Sequence, residues 1–323
     1  MKPPPGCDPD AIVLTFRVAK EHAGLRLDRY VQSRIPRLSR TRAQEIVKAC
    51  ARWPDGRRRR PSERVREDEL VLVVRPRFDE PDTPQTFGVI HEDDALLVVD
   101  KPAGLPMHPT ATYHRNTLTY LLRQRYGEEG PPHIAHRIDR ETSGLVVCGK
   151  TREAERTLKI AFERRRVKKA YLAIVRGTLP ADAGVIDLPM GPAREGLHVL
   201  MEVRDDGSPS STRYHVLERR GEHALVWLAP ETGRQHQLRV HLAALGAPIV
   251  GDKLYGPEGS RPFLDYIDRG LTPELVRRLG HERQALHAAE LDLVHPRTGQ
   301  AMHLEAPLAP DLAAVWARFG ATC

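Results

Sequence analysis

The sequence predicts an α+β protein in two units. Three observations carry that expectation. Short apolar strands are mixed with a few amphipathic helices along the chain. Residues 11–76 read as a small unit of two helices closed by a strand. Residues 77–87, with Pro81, Pro84 and several acids, read as a linker to a larger unit at 88–323. The chain has 323 residues, 40% of them hydrophobic, which is enough for two domains of ordinary size. The proline-rich residues 1–10 are expected to be a flexible tail.

In the front unit, Leu27, Tyr30, Val31 and Ile35 recur at helical spacing. After a break at Pro36 and Arg37, Ala43, Ile46, Val47 and Cys50 do the same, with Ser39 as N-cap. A turn at Pro54, Asp55 and Gly56 leads into four arginines at 57–60, and residues 70–74 form a closing strand. In the larger unit, residues 95–99, 145–148, 171–175 and 223–229 read as strands, and 101–104 as a turn. Residues 257–283 read as a partly helical insertion. No repeat recurs at a fixed period.

Net charge is +7 and the sequence pI is about 9.4. Such a basic balance points to a polyanionic partner, and arginine, the main contributor, suits bidentate phosphate contacts. The four cysteines are scattered without a CxxC pair, which indicates neither a zinc knuckle nor a disulfide framework. Reduced thiols fit a cytoplasmic protein. The N-terminus lacks the apolar stretch of a secretory signal, and no apolar run is long enough to cross a bilayer. No membrane partner is expected.

Chemistry concentrates at HRIDRETSGL, residues 136–145. Asp139 lies between Arg137 and Arg140, ahead of a Ser-Gly turn and an apolar run. A neighbouring cation favours an ionised carboxylate. A surface ion pair is the plainer alternative. A second segment, residues 232–239, pairs Thr232 with Gln235 in a capping-box pattern, so a helix is expected to begin there. Arg234 would sit in its first turn, where the helix dipole disfavours a cation. A carboxylate partner would explain it, and Asp139 is the candidate; a solvated arginine is the alternative. Tyr171 sits in an apolar strand, where a core tyrosine is the alternative to a site residue. His236 and His241 are five apart, whereas the helical zinc pattern uses four with a glutamate between, so no metal is expected.

The string HRIDRETSGLVV at 136–147 closely resembles the motif of the RluA-type pseudouridine synthases. DKPAGLPMHP (100–109), KKAYLAIVRG (168–177), ETGRQHQLRVHLAALGAPIVGDKLYG (231–256) and LHAAELDLVHP (286–296) match in the same order. The resemblance covers about residues 88–308. Ile138 replaces the usual leucine and keeps volume and polarity. LRLDRYVQSRIPRLSRTRAQEIVKAC at 25–50 resembles, more loosely, an S4-like RNA-binding module. Its usual hairpin is replaced by residues 51–60, so the helices are expected more firmly than the strands.

The resemblance implies a pseudouridine synthase fold: a mixed, mainly antiparallel sheet with flanking helices and a central catalytic cleft, plus a small S4-like α/β domain. It implies an isomerase that breaks the bond from ribose C1′ to uracil N1 in RNA and rejoins the ribose to a base carbon. It requires no cofactor. Asp139 would be the catalytic aspartate, as nucleophile or base. Arg234 would hold it in place, and Tyr171 would stack near the base and relay the final proton. Arg137 would fill the space left by the flipped uridine. Arg140 and His136 would contribute to substrate binding, with His108, His136 and His287 shaping the cleft. Arg40, Arg42, Lys48, Arg57 and Arg58 would contact phosphates. Large-subunit ribosomal RNA is the expected target, with tRNA as the runner-up, and a monomer is expected. Two other classes remain open: a catalytically silent RNA-binding or ribosome-assembly protein on this fold, and a glycosidase-like hydrolase using Glu141 as a second carboxylate.

Overall fold

The computed structural model describes residues 2–9, 11–35, 38–75, 80–110 and 112–320. The chain divides into two compact units, Met1–Asp79 and Glu80–Cys323.

Unit one holds β1 (Ile12–Arg17), α1 (Leu27–Arg34), α2 (Arg40–Cys50), β2 (Ala51–Arg52) and β3 (Leu70–Arg75). The strands form an antiparallel sheet in the order β1-β3-β2. Leu27, Tyr30 and Val31 of α1 and Val47 of α2 are fully buried against Val71 and Val73 of β3. The Ser39 hydroxyl accepts from Arg42 N and caps α2, as the sequence predicts. The break at residues 36–37 lies outside the described residues. Asp28 is buried in α1, where its carboxylate takes both Arg26 Nε (3.1 Å) and Nη2 (2.8 Å) and Gln44 Nε2 from α2 (3.0 Å). The Arg26 contact, outweighing burial, pushes its carboxyl down to about 2. The first residues are not a loose tail where described: Pro4 is buried, and Cys7 packs on the Ala11, Leu72 and Val74 cluster.

In unit two, residues 80–87 do not behave as a free linker. The Glu80 carboxylate accepts from the backbone N–H of Arg115 and Asn116 at 2.8–3.0 Å. Residues 77–79 lie outside the described set. The chain then runs through β4 (Gly88–Glu92), β5 (Leu96–Lys101), α3 (Leu118–Tyr126), β6 (His133–Ile134), β7 (Ser143–Gly149), α4 (Arg152–Glu163), β8 (Lys168–Arg176) and β9 (Ala183–Asp187). A small hairpin, β10 (Met190–Pro192) and β11 (Met201–Val203), precedes β12 (Ser211–Arg220), β13 (His223–Pro230) and α5 (Gln237–Ala244). The helical insertion forms α6 (Arg261–Arg269) and α7 (Pro273–Leu279). The chain ends with β14 (Leu286–Val294), β15 (Ala301–Glu305) and α8 (Pro310–Gly320).

A 10-stranded sheet dominates the unit, in the order β4-β5-β7-β14-β8-β13-β12-β9, with β6 on β7 and β15 on β14. The run LLVV in β5 shows why its strands read as continuous apolar stretches. Leu97 and Val99 pack under α3 with Leu118, Leu121 and Leu122, whereas Leu96 and Val98 face Leu158 of α4 and Leu291 of β14. Both faces of that strand are covered, so both need apolar side chains. In the other half, Leu238 and Leu242 of α5 and Leu312, Val315 and Trp316 of α8 pack with Ile174 and Val226.

The halves meet where β7 and β14 run parallel, the one parallel pair among the described residues. The backbones approach closely there. Gly144 sits at φ +105°, and a Cβ built on it would lie 2.2 Å from Ala288 O. Only glycine fits, which accounts for the Ser-Gly in the motif. Asp139 lies just before this junction, on the loop entering β7.

Candidate active site

A cleft of about 590 Å³ opens at the junction. Its lining comes from the loop before β7, the end of α4, β8, and the connection from β13 into α5. That volume suits a small ligand or one extruded nucleotide. Asp139 and Tyr171 both line it, as does Arg137.

The loop holding Asp139 is pinned from behind. Lys101, fully buried, donates from Nζ to the carbonyls of Pro102 (2.8 Å), Leu105 (3.0 Å) and Arg140 (3.0 Å). Thr142 N donates to Asp139 O and closes a turn. This turn separates the neighbouring acids. Asp139 faces the cleft, whereas Glu141 is held by Lys253 Nζ at 2.9 and 3.0 Å and by Arg140, outside the lining residues. The paired-carboxylate arrangement of a glycosidase is therefore not formed by these two acids.

Asp139 Oδ2 accepts from Arg239 Nη1 at 3.0 Å and from Gln284 Nε2 at 3.3 Å. Oδ1 takes no protein hydrogen bond among the described residues, and the side chain is 28% exposed, toward the cleft. Burial alone would raise this carboxyl. The Arg239 charge outweighs that and holds it below the ordinary carboxylate range. Arg239 is fixed in turn by Asp252, which accepts from Nε at 2.7 Å and Nη2 at 2.8 Å. One guanidinium thus spans two acids, with its fork on Asp252 and one nitrogen on Asp139.

The partner expected from the sequence was Arg234, and here the structure differs. Arg234 is exposed at the cleft wall, and its backbone N–H donates to Gln237 Oε1. The helix does not begin at a Thr232–Gln235 box. It begins at Gln237, whose side chain, rather than that of Gln235, receives the Thr232 hydroxyl at 2.6 Å. That shift turns Arg239 toward Asp139. A signal was present in the sequence: Arg239 is a lone charge inside the apolar run of α5, with Leu238, Val240 and Leu242 all buried around it. A buried arginine in such a setting needs a carboxylate.

Other expected site residues divide. Tyr171 projects from β8 into the cleft, and burial, with the Asp139 charge adding, pushes its phenol up. Arg137 is exposed on the cleft wall with Lys159, Arg165 and Arg234, making the rim cationic. His136 borders the cleft, but its ring stacks on Phe162 and its Nε2 accepts from Val147 N at 3.0 Å. Burial lowers it to about 3, so it acts as a neutral structural group. Arg140 is absent from the lining; its guanidinium meets Tyr113, Tyr266 and Glu141. His287 bonds Ser143 and His108 bonds Thr119, neither one lining the cleft. His241 spends both ring nitrogens, on Thr212 and on Leu188 O. Gln284, Asp252 and His236 belong to the Asp139 environment and were not read from the sequence as such.

In unit one, Arg40, Lys48, Arg57 and Arg58 are exposed, with Arg57 paired to Asp55. Arg42 is exposed and paired to Glu45. The arginine run is not uniformly solvated. Arg59 is buried, paired with Glu63 and Glu69, and stacks 3.9 Å from the Trp53 ring centroid.

Comparison with known proteins gives the family. Residues 95–244 match the family model described as RNA pseudouridylate synthase. A protein of Nitrosomonas europaea, "Ribosomal large subunit pseudouridine synthase D", is 37% identical over 91% of this chain and 84% of its own. The chain belongs to the RNA pseudouridine synthase family. A similarly named protein of Xanthomonas campestris pv. campestris is 38% identical over 90% of this chain and 87% of its own. Among solved structures, "Human RNA Pseudouridylate Synthase Domain Containing 4" superposes with a TM-score of 0.57 at 29% identity, covering 72% of this chain and 92% of that one. As a pseudouridine synthase the chain is an isomerase. Its expected α+β architecture, with a mixed sheet and flanking helices around a cleft, is the architecture observed.

Proposed function

We propose that this pseudouridine synthase modifies uridine in large-subunit ribosomal RNA, with Asp139 as the catalytic carboxylate. The observation that carries the proposal is the state of Asp139. It is ionised by Arg239, takes its hydrogen bonds on Oδ2 and not on Oδ1 among the described residues, and lines a cleft with a cationic rim. An ionised oxygen is what either chemical route needs, attack at C1′ or removal of a ribose proton. Arg239, backed by Asp252, is the positioning residue. Tyr171 forms the surface beside the base and relays the last proton. Arg137, Lys159, Arg165 and Arg234 hold phosphates at the rim, and Arg137 occupies the space of the flipped uridine. The names carried by the most similar relatives support the ribosomal target.

Unit one is the RNA anchor in this reading, through Arg40, Lys48, Arg57 and Arg58. Its helix pair and the exposure of these basic side chains support that role.

The test maps pseudouridines across total cellular RNA with and without the gene, and with Asp139→Asn in its place. One or more sites in large-subunit rRNA should disappear in both the deletion and the variant. Loss of tRNA sites alone would move the target class, and full activity of Asp139→Asn would remove Asp139 from the mechanism.

A further inference from the structure

His236 stands beside Asp139 with one ring nitrogen bonded to Tyr255 and the other without a hydrogen-bond partner among the described residues. It takes the position before α5, at φ +56°, and its side chain is 8% exposed. Nδ1 lies 2.7 Å from the Tyr255 hydroxyl. That hydroxyl already accepts from Met201 N at 3.0 Å. With Met201 N–H on the phenol oxygen, the phenol proton is free to be donated, and among the described residues His236 Nδ1 is the acceptor in reach. This order of donors also turns an N–H, not a lone pair, toward the Asp139 carboxylate, and we adopt this tautomer: Nδ1 accepts and Nε2 carries the hydrogen. Nε2 stands 3.9 Å from Asp139 Oδ2, beyond hydrogen-bond range, and the ring lines the cleft. Burial and the Arg239 charge push the imidazole down to about 4, so it stays neutral and keeps this tautomer near pH 7.

We propose that His236 Nε2–H binds the O2 carbonyl of the target uracil and stabilises the base as it departs. The inference rests on the role of Asp139 stated above. When the C1′–N1 bond breaks, its electron pair leaves on the uracil, whether Oδ1 bonds to C1′ or takes a ribose proton. That charge spreads onto the ring oxygens. O2 sits on the carbon next to N1, close to the sugar, whereas O4 lies across the ring. A donor a few ångströms from the Asp139 carboxylate therefore meets O2. The uracil then turns, C5 bonds to C1′ and gives up its proton, and N1 takes one, so the isomerisation balances. His236 transfers no proton in this scheme. It is a fixed dipole aimed where negative charge appears, and the Met201–Tyr255 chain holds it there.

The test uses the full chain and an RNA carrying the mapped target uridine or 2-thiouridine in its place, since sulfur is a poor hydrogen-bond acceptor. His236→Phe should lower kcat about 100-fold with little change in KM, as for loss of an oxyanion donor. His236→Gln, which restores an N–H near the same point, should recover roughly tenfold of that. The wild-type preference for uridine over 2-thiouridine should exceed that of His236→Phe by at least about tenfold. Tyr255→Phe should fall between wild type and His236→Phe, because either tautomer is then open. An identical preference in wild type and His236→Phe, or a His236→Phe rate within threefold of wild type, would overturn the assignment. Asp139→Asn is measured alongside. If it is inert while His236→Phe is unaffected, only the His236 role fails; if it is active, the Asp139 reading itself fails.

Discussion

Replacing Arg239 by methionine separates the two arginines that compete for the role of Asp139 partner. Methionine keeps much of the side-chain length but removes three hydrogen bonds, two to Asp252 and one to Asp139. Arg239 is 7% exposed and Asp252 fully buried, so two acids lose their cation in a poorly solvated place. Breaking one partner of a buried pair costs about 3–5 kcal/mol. For a unit of this size that corresponds to a fall in Tm of roughly 6–20 °C. The catalytic effect has a distinct signature. In the wild type the Asp139 carboxyl lies below its ordinary range, so it stays ionised as pH falls and the acid limb of kcat/KM lies below the usual carboxylate range. Without Arg239, Gln284 and His236 are left to oppose burial, and the limb should move upward. At pH 7 single-turnover pseudouridine formation should drop about 100-fold or more, because the carboxylate is both less ionised and less fixed. Adding Asp252→Asn to Arg239→Met removes the second orphaned acid, so stability should partly return while the rate stays low. Arg234→Ala should weaken RNA binding and leave kcat within a few fold. A wild-type rate and acid limb in Arg239→Met, or the same loss from Arg234→Ala, would refute the assignment.

Further expectations follow from other parts of the structure. Gly144→Ala should abolish soluble folded protein or cost at least about 3 kcal/mol in urea unfolding, because its Cβ would meet Ala288 O at a strained positive φ. Wild-type stability with alanine there would contradict the close β7–β14 approach. His136 and His236 are pushed down to about 3 and about 4, so the unfolded chain binds more protons than the fold below pH 6.5. Their contribution is complete above pH 6.5 and is lost as pH falls toward the folded values, at up to about 1.4 kcal/mol per pH unit for each group. Urea midpoints at pH 7, 6 and 5 check this, and His136→Gln should flatten the slope. Arg137→Ala and Arg165→Ala should each weaken RNA binding and reduce the slope of log affinity against log salt by roughly 0.7–0.9; an unchanged slope would take them off the phosphate path.

Much of the local order follows from the sequence alone. The periodicity of α1 and α2, the Ser39 cap, the apolar β5, β7, β8 and β13, and the helical insertion all depend on contacts between near neighbours or on two-faced burial. The ordered motifs likewise pointed to Asp139 and Tyr171. Partners were harder to read, because a helix that starts a few residues later than its capping pattern suggests rotates every side chain after it. That offset moved Arg234 to the rim and brought Arg239 to the carboxylate. The turn at 139–142 decided that Asp139 and Glu141 face apart, although an extended segment would have put them on one face. The linker and the arginine run changed meaning for the same reason, since Glu80 and Arg59 each found partners through folding. The acid proposed here, Asp139, stands out in the chain by its motif. The cation that ionises it lies 100 residues away, and only the packing of α5 against the loop before β7 could select it.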